Sequence, residues 1–403
     1  MANWDVKTAN SSLEFDTADN SFNACYALDS NHFINFWTGT STHGQVQTFT
    51  VNTTTWAVTT AAALLEFDTT SGQYNSCCII DTNHFINFWT GADSDGFAQI
   101  FTVNTTTFAV TTANSALEFD TQDNLYNSCF KLDANHVINF WQGLDGDGMV
   151  QIFAINTTTW AVTTAGAVLE FDTQSAEHNS CFLVDANHCI NFWGNAAGTE
   201  AYVQIFAIDT STWAVTTAGA SLKYFFDTIS ANSCFQIDST HFINFWQDRL
   251  GIDGEVQVFT VSTSTWAVTT ANKSLSFSAI GNYSSCQQVD ANHFINFYAG
   301  DSVDGYAQVF TVNTSTWAVT TSASRLEFDT DSGRYNSCAK IDTNHFINFW
   351  EGLDADGFVQ VFTVELGTAG PANLKTLNTN TKSNIKTINT ATIANTKTYN
   401  TIT

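Results

Sequence analysis

Acidic side chains gather at two recurring places in this 403-residue chain. At the first, two aspartates stand two apart ahead of a glycine: Asp93 and Asp95, Asp145 and Asp147, Asp354 and Asp356. Oxygen ligands before a sharp glycine turn are how a calcium loop begins, but such a loop needs six or more oxygens and closes on a bidentate acid. No closing acid follows here, and Asp-Gly is itself a hairpin signal. The turn reading is preferred, with calcium the one cofactor the pattern allows. At the second place a glutamate and an aspartate flank a phenylalanine: Glu66 and Asp68, Glu118 and Asp120, and again at Glu14 and Asp16, Glu170 and Asp172, Glu327 and Asp329.

Trp37, Trp89, Trp141 and Trp350 recur at one position beside these acids. A large aromatic repeated in this way either fills the gap between packed elements or offers its face to a sugar whose hydroxyls donate to carboxylates. On the second reading the candidate ligand-binding set is Trp37, Trp89, Trp141 and Trp350 with Glu66, Asp68, Glu118 and Asp120. Seven histidines, His32, His84, His136, His188, His241, His293 and His345, each follow an Asp three residues upstream in an Asp-x-Asn or Asp-Ser-Thr turn. No other metal ligands cluster with them, so a fixed turn hydrogen bond explains them more simply than a metal or a general base. Asn35, Asn87, Asn139, Asn191, Asn244, Asn296 and Asn348 lie inside apolar runs, and their amides are expected to bond backbone groups of a neighbouring unit. No nucleophile elbow, phosphate loop, zinc spacing or isolated catalytic carboxylate pair is present.

The elements that position these groups follow from their period. Successive histidines are 52, 52, 52, 53, 52 and 52 residues apart, so one unit is repeated along the chain. In the third copy Tyr126 to Leu132, His136 to Gln142, Met149 to Ile155 and Trp160 to Glu170 read as four short strands, rich in Phe, Val, Ile, Thr and Trp and separated by Asx, Asp-Gly and Asn-Thr turns. Phe-Ile-Asn-Phe-Trp is apolar on both faces, which implies a sheet covered on both sides. Seven four-stranded sheets packed face to face describe an all-β, seven-bladed propeller. The chain begins with a fourth strand near Trp4 that lacks its first three, and its last copy ends after a third strand at Val364. Those fragments complement one another, so the N-terminal strand is expected to close the ring on Phe358 to Val364.

On these motifs the array, from about residue 3 to 365, resembles the near-identical tandem-repeat propellers of bacterial and phage surface proteins. It lacks the Gly-His and Trp-Asp dipeptides of the tryptophan-aspartate repeat propellers. The expected division is a propeller over 1–366 and a tail over 367–403, whose Asn/Thr/Lys segments repeat every 11 residues. The tail is read either as a polar linker or as an assembly segment.

The formal charge of −26 argues against a nucleic-acid partner. All 38 acids lie before residue 367 with 8 of the 12 bases, a net of −30 for that part. No run approaches the length of a membrane span, and the first residues show no basic and apolar leader, so the expectation is a part of a virion or cell-surface assembly without a secretory signal. Cys25, Cys77, Cys129, Cys181, Cys234, Cys286 and Cys338 recur once per unit, with Cys78 and Cys189 as extras, and buried thiols are expected rather than disulfides. Blades four to six depart most from the repeat, at Gly194 to Tyr202, at Lys223-Tyr224-Phe225, and at Ser276 and Ser278. None of these changes assembles a catalytic set. The function expected is therefore a non-enzymatic, multivalent binding or display module for carbohydrate or a protein surface. A purely structural assembly protein is the alternative, and a propeller-fold hydrolase or lyase comes third.

Overall fold

A computed structural model of the chain describes residues 4–195, 200–227, 229–248, 253–322 and 324–366. The tail, 367–403, lies outside the described residues, as does part of the Gly194 to Tyr202 departure. Trp4–Glu365 forms one compact unit.

Seven antiparallel sheets follow one another, each with its first strand innermost and its last outermost. Blade two is representative: Gln73–Ile79, His84–Thr90, Gly96–Val103, and an outer strand in two pieces, Val110–Thr112 and Leu117–Asp120. The outer strand bends around a bulge. The carbonyl this bulge frees would be orphaned, and buried backbone groups need partners. A glutamine on the third strand supplies one: Gln47 Nε2 donates to Ala62 O at 2.7 Å, Gln151 to Gly166 O at 3.0 Å and Gln204 to Gly219 O at 3.0 Å. In blades three and four the bend falls on Gly166 and Gly219, at φ of 71° and 69°.

The N-terminal strand closes the ring as the repeat phase requires. Val6 pairs with Val364 and Leu13 with Val359, so the outer strand of the seventh blade comes from the beginning of the chain. The core is divided into seven apolar layers, one between each pair of blades. Phe33, Phe49 and Val51 of blade one meet Ile347, Phe349, Val359 and Val361 of blade seven. Ile34, Phe36 and Val46 face the other way, onto Phe85, Phe101 and Val103 of blade two. Both faces of each second strand are thus covered, which is why its sequence is an unbroken apolar run.

The inner strands are tied to one another around the axis. Cys25 N donates to Ser337 Oγ at 2.9 Å and its thiol to Ser337 O at 3.2 Å, and the same pair recurs between Cys181 and Ser128, Cys286 and Ser233, and Cys338 and Ser285. All nine cysteines are free. Burial pushes the thiols of Cys25, Cys181 and Cys286 up to about 12, which keeps them as S–H donors.

Candidate functional site

Strand direction divides the turns between two faces of the ring. On one lie the Asx turns. There Asp29 Oδ1 accepts the amides of Asn31 and His32, each at 2.8 Å, and Asp29 Oδ2 lies 2.8 Å from His32 Nδ1. Each of these imidazoles also stacks on an aromatic ring of the next blade: His84 on Trp160 at 3.5 Å, His345 on Trp56 at 3.6 Å, His293 on Trp4 at 3.7 Å. The seven histidines are therefore joints between blades.

On the opposite face the predicted sugar platform is not available. Trp37, Trp89 and Trp350 are 1% exposed and Trp141 2%. Each indole N–H reaches back to the preceding blade: Trp37 to Asp16 Oδ2 at 2.7 Å, Trp89 to Asp68 at 2.9 Å, Trp141 to Asp120 at 2.8 Å, and Trp350 to Asp329 at 2.8 Å. Asp68 and Asp120 thus clamp blades together, while Glu66 and Glu118 lie exposed beside them. Glu66 Oε2 meets His43 Nδ1 at 3.0 Å. The clamp is lost in two successive blades. Trp246 Nε1 has no hydrogen-bond partner, and Tyr298 with Ser278 stands in place of Trp and Asp.

The Asp-Gly sites are turns as preferred. Asp93, Asp145 and Asp354 occupy the left-handed region at φ of 55°, 59° and 56°, and Asp95, Asp147 and Asp356 end the same tight turns, their amides bonded to Ala92, Leu144 and Leu353. Among the described residues no three His, Cys, Asp or Glu side chains gather into one cluster.

What the sequence reading missed is at the mouth of the central channel. Each inner strand begins with a bulge: Gln73 pairs with Thr90 but Ser76 with Phe88, leaving one extra residue between them. Such bulges re-aim side chains. Here they turn one residue per blade into the channel, namely Phe22, Tyr74, Tyr126, His178, Ala231, Tyr283 and Tyr335, all at φ between 48° and 53°. Non-glycine residues rarely adopt this conformation, which costs on the order of 1 kcal/mol or more each and persists only where the surroundings impose it.

The surroundings here are the asparagines that follow. Asn127 Nδ2 donates to Tyr74 O at 3.3 Å, Asn232 to His178 O at 2.9 Å, Asn336 to Tyr283 O at 3.1 Å, and Asn23 to Tyr335 O at 3.1 Å. The buried second-strand amides bond these same groups: Asn35 Nδ2 donates to Asn23 Oδ1, and Asn87 to Asn75, at 2.8 Å. The expectation of backbone partners in the next blade is corrected accordingly, since the first partner is a side chain of the same blade. That residue then reaches the neighbouring backbone.

The result is a collar of rings, Phe22 against Tyr74 at 4.2 Å, Tyr74 against Tyr126 at 4.9 Å, Tyr126 against His178 at 4.4 Å and Tyr283 against Tyr335 at 4.5 Å. It surrounds a cavity of about 310 Å³ whose other walls are Asn23, Asn75, Asn127, Asn179, Asn232, Ser284 and Asn336. Burial raises the phenols of Tyr74 and Tyr335, so both remain neutral donors at pH 7. Charge enters at Glu177, next to His178 in sequence, and at Arg334 with Glu351. That last pair is in register behind Tyr335, 3.7 Å apart, where other blades carry Ser21 with Thr38 or Gln73 with Thr90.

This arrangement can hold a small uncharged ring: aromatic walls for its apolar faces, amides and phenols for its hydroxyls, and one imidazole for proton transfer. The signal in the sequence was the variable letter three residues before each recurring cysteine, where an otherwise near-identical repeat changes from Tyr to Phe, His and Ala.

No protein-family model matches the chain, and no curated protein matches it. Solved structures similar in fold include a "putative 6-phosphogluconolactonase" of Bacteroides fragilis. It has 9% identity and a TM-score of 0.57, with 75% of this chain and 83% of that one covered. A second structure of the same description, from Bacteroides uniformis, has 5% identity and a TM-score of 0.59, covering 75% and 84%. A protein of unknown function from Dyadobacter fermentans has 7% identity and a TM-score of 0.50, covering 89% and 99%. At such identities the likeness establishes the fold alone.

The comparisons overturn one expectation. Two of these similar folds carry an enzyme's name, and none is described as a binding or display protein. The expected non-enzymatic, multivalent binding or display module, with its structural alternative, is corrected on that finding, and the indoles that were to provide the multivalent surface are buried.

Proposed function

We propose that the channel mouth is the active site of a hydrolase that opens small, uncharged sugar-type lactones. The observation that carries this reading is the collar, where strained backbone turns His178, four phenols and a ring of amides into one sugar-sized cavity. The names of the two Bacteroides proteins support the reaction class. Water adds to the carbonyl carbon of the lactone while the His178 imidazole accepts its proton. Tyr126 and Tyr283 donate hydrogen bonds to the oxygen on which negative charge develops. The ring C–O bond then breaks, the departing oxygen takes the proton from His178, and the product is the open hydroxy acid. One water is consumed and the imidazole is restored.

Charge argues for a substrate without phosphate. The described basic group beside the collar, Arg334, is engaged by Glu351, and the net charge of −26 disfavours approach of an anion. The test compares initial rates on glucono-1,5-lactone and on its 6-phosphate, each above spontaneous hydrolysis. The reading expects turnover of the neutral lactone and at least about tenfold lower kcat/KM for the phosphorylated one, a difference of about 1.4 kcal/mol. Absence of catalysis on both would overturn it. We further propose that the array shares descent with the tandem-repeat propellers of bacterial and phage surface proteins, supported by the near-identity of its seven copies.

A further inference from the structure

The collar is not uniform, and its departures fall together. Six of its seven positions carry a ring, and Ala231 in blade five carries a methyl group at the same backbone geometry, φ 51°. In blade six, next to it, Ser284 stands where the other six blades have asparagine. Both residues line the cavity. The sector between His178 and Tyr283 is thus wider by about a ring's breadth at its rim and by an amide at its floor. The two interblade clamps that are lost, at Trp246 and Tyr298, belong to these same two blades.

The polar groups of this sector are held in place. Asn232 Oδ1 accepts from Asn244 Nδ2 at 2.9 Å and its Nδ2 donates to His178 O. Ser284 Oγ accepts from Asn296 Nδ2 at 3.2 Å and donates to Gly281 O at 3.3 Å. Behind the rim Ser230 Oγ lies 2.7 Å from Gln247 Oε1 and 3.3 Å from Asn282 Oδ1, tying the sector's wall across blades five and six.

We infer that the Ala231 and Ser284 sector is the specificity pocket of the site, admitting one six-membered polyhydroxylated ring that completes the collar between His178 and Tyr283. The rest of the rim is closed by rings in mutual contact, so a ligand ring enters the collar plane only here. Its C–H faces meet the aromatic edges while Asn232, Asn179 and Ser284 meet its hydroxyls. This rests on the lactonase reading for the choice of a sugar-type ring. The position follows from the collar itself.

The probe is glucono-1,5-lactam, a neutral ring that the proposed reaction does not open, titrated into the full chain by calorimetry. Two variants narrow the sector by copying residues that other blades already carry at the same place, Ala231→Tyr at the rim and Ser284→Asn at the floor. Ala231→Tyr is expected to weaken lactam binding at least about tenfold, and Ser284→Asn several-fold, with melting temperatures near that of the parent. Undiminished binding in both variants, or no binding of the lactam to the parent at millimolar concentration, overturns the inference. If Ala231→Tyr does not fold, Ser284→Asn decides by itself. The two readings fail separately: lactam binding that is lost in the variants without any lactone turnover ends the hydrolase reading and leaves the pocket. Turnover unchanged in both variants does the reverse.

Discussion

Glu351 shows how one side chain can fix a pH dependence. Burial, only partly opposed by Arg334 at 3.7 Å and reinforced by Asp19, raises its carboxyl to about 7. A glutamate whose folded value lies above its unfolded value of about 4.3 weakens the fold as pH rises between the two, and the loss is complete above about pH 7. Glu351→Gln is therefore expected to raise the melting temperature at pH 8 and leave it nearly unchanged at pH 4. An equal effect at both pH values would refute this. The Asx-turn aspartates act in the opposite sense. Partial burial pushes Asp29 up, but the amides of Asn31 and His32 and the His32 ring together outweigh it and hold the carboxylate low, and the same holds at Asp81, Asp238 and Asp342. Their contribution is present above the unfolded aspartate value and is lost as pH falls through the lowered folded values. This role of Asp-x-Asn-His was legible in the sequence, because an Asx turn and a histidine three residues on leave few other partners.

At the scale of the strand, the sequence left the tryptophans open between two readings, and burial decides for packing. The clamp gives this a measurable form. Trp89→Phe removes a buried indole and leaves Asp68 without its N–H donor, whereas Trp246→Phe removes an indole whose nitrogen had no partner. Denaturant unfolding should show both variants destabilised, with Trp89→Phe costing about 1 to 2 kcal/mol more. Equal costs would mean that the Trp and Asp pair adds nothing to blade packing. Strand order and turn positions were readable from alternating apolar runs and Asx or Asp-Gly signals. The inner-strand bulge was not, since Tyr-Asn-Ser-Cys fits a regular strand equally well, and only the paired register exposes the extra residue. The collar escaped the sequence reading for that reason.

For the molecule as a whole, the seven-bladed architecture and its closure were legible because the period and the phase of the two ends are properties of sequence alone. Removing residues 4–16 would delete Val6–Thr8 and Leu13–Asp16 and uncover the edge of Gly357–Val364. Val6 and Phe15 leave their apolar layers with them. At about 1.5 to 3 kcal/mol for each buried side chain, the ring should lose several kcal/mol and melt far lower. A truncated chain melting like the parent would contradict closure. Function was less legible, because a repeat disguises a site built from its few irregular letters. His178, Ala231 and Ser284 are ordinary residues in sequence and meet only when the ring brings seven inner strands around one axis. The most direct measurement is kcat for glucono-1,5-lactone at pH 7 in the parent and in His178→Gln, with melting temperatures compared in parallel. Loss of a general base predicts a fall of about 10²-fold or more with the fold intact. Turnover in His178→Gln equal to the parent's would contradict the assignment of the channel mouth as the catalytic centre.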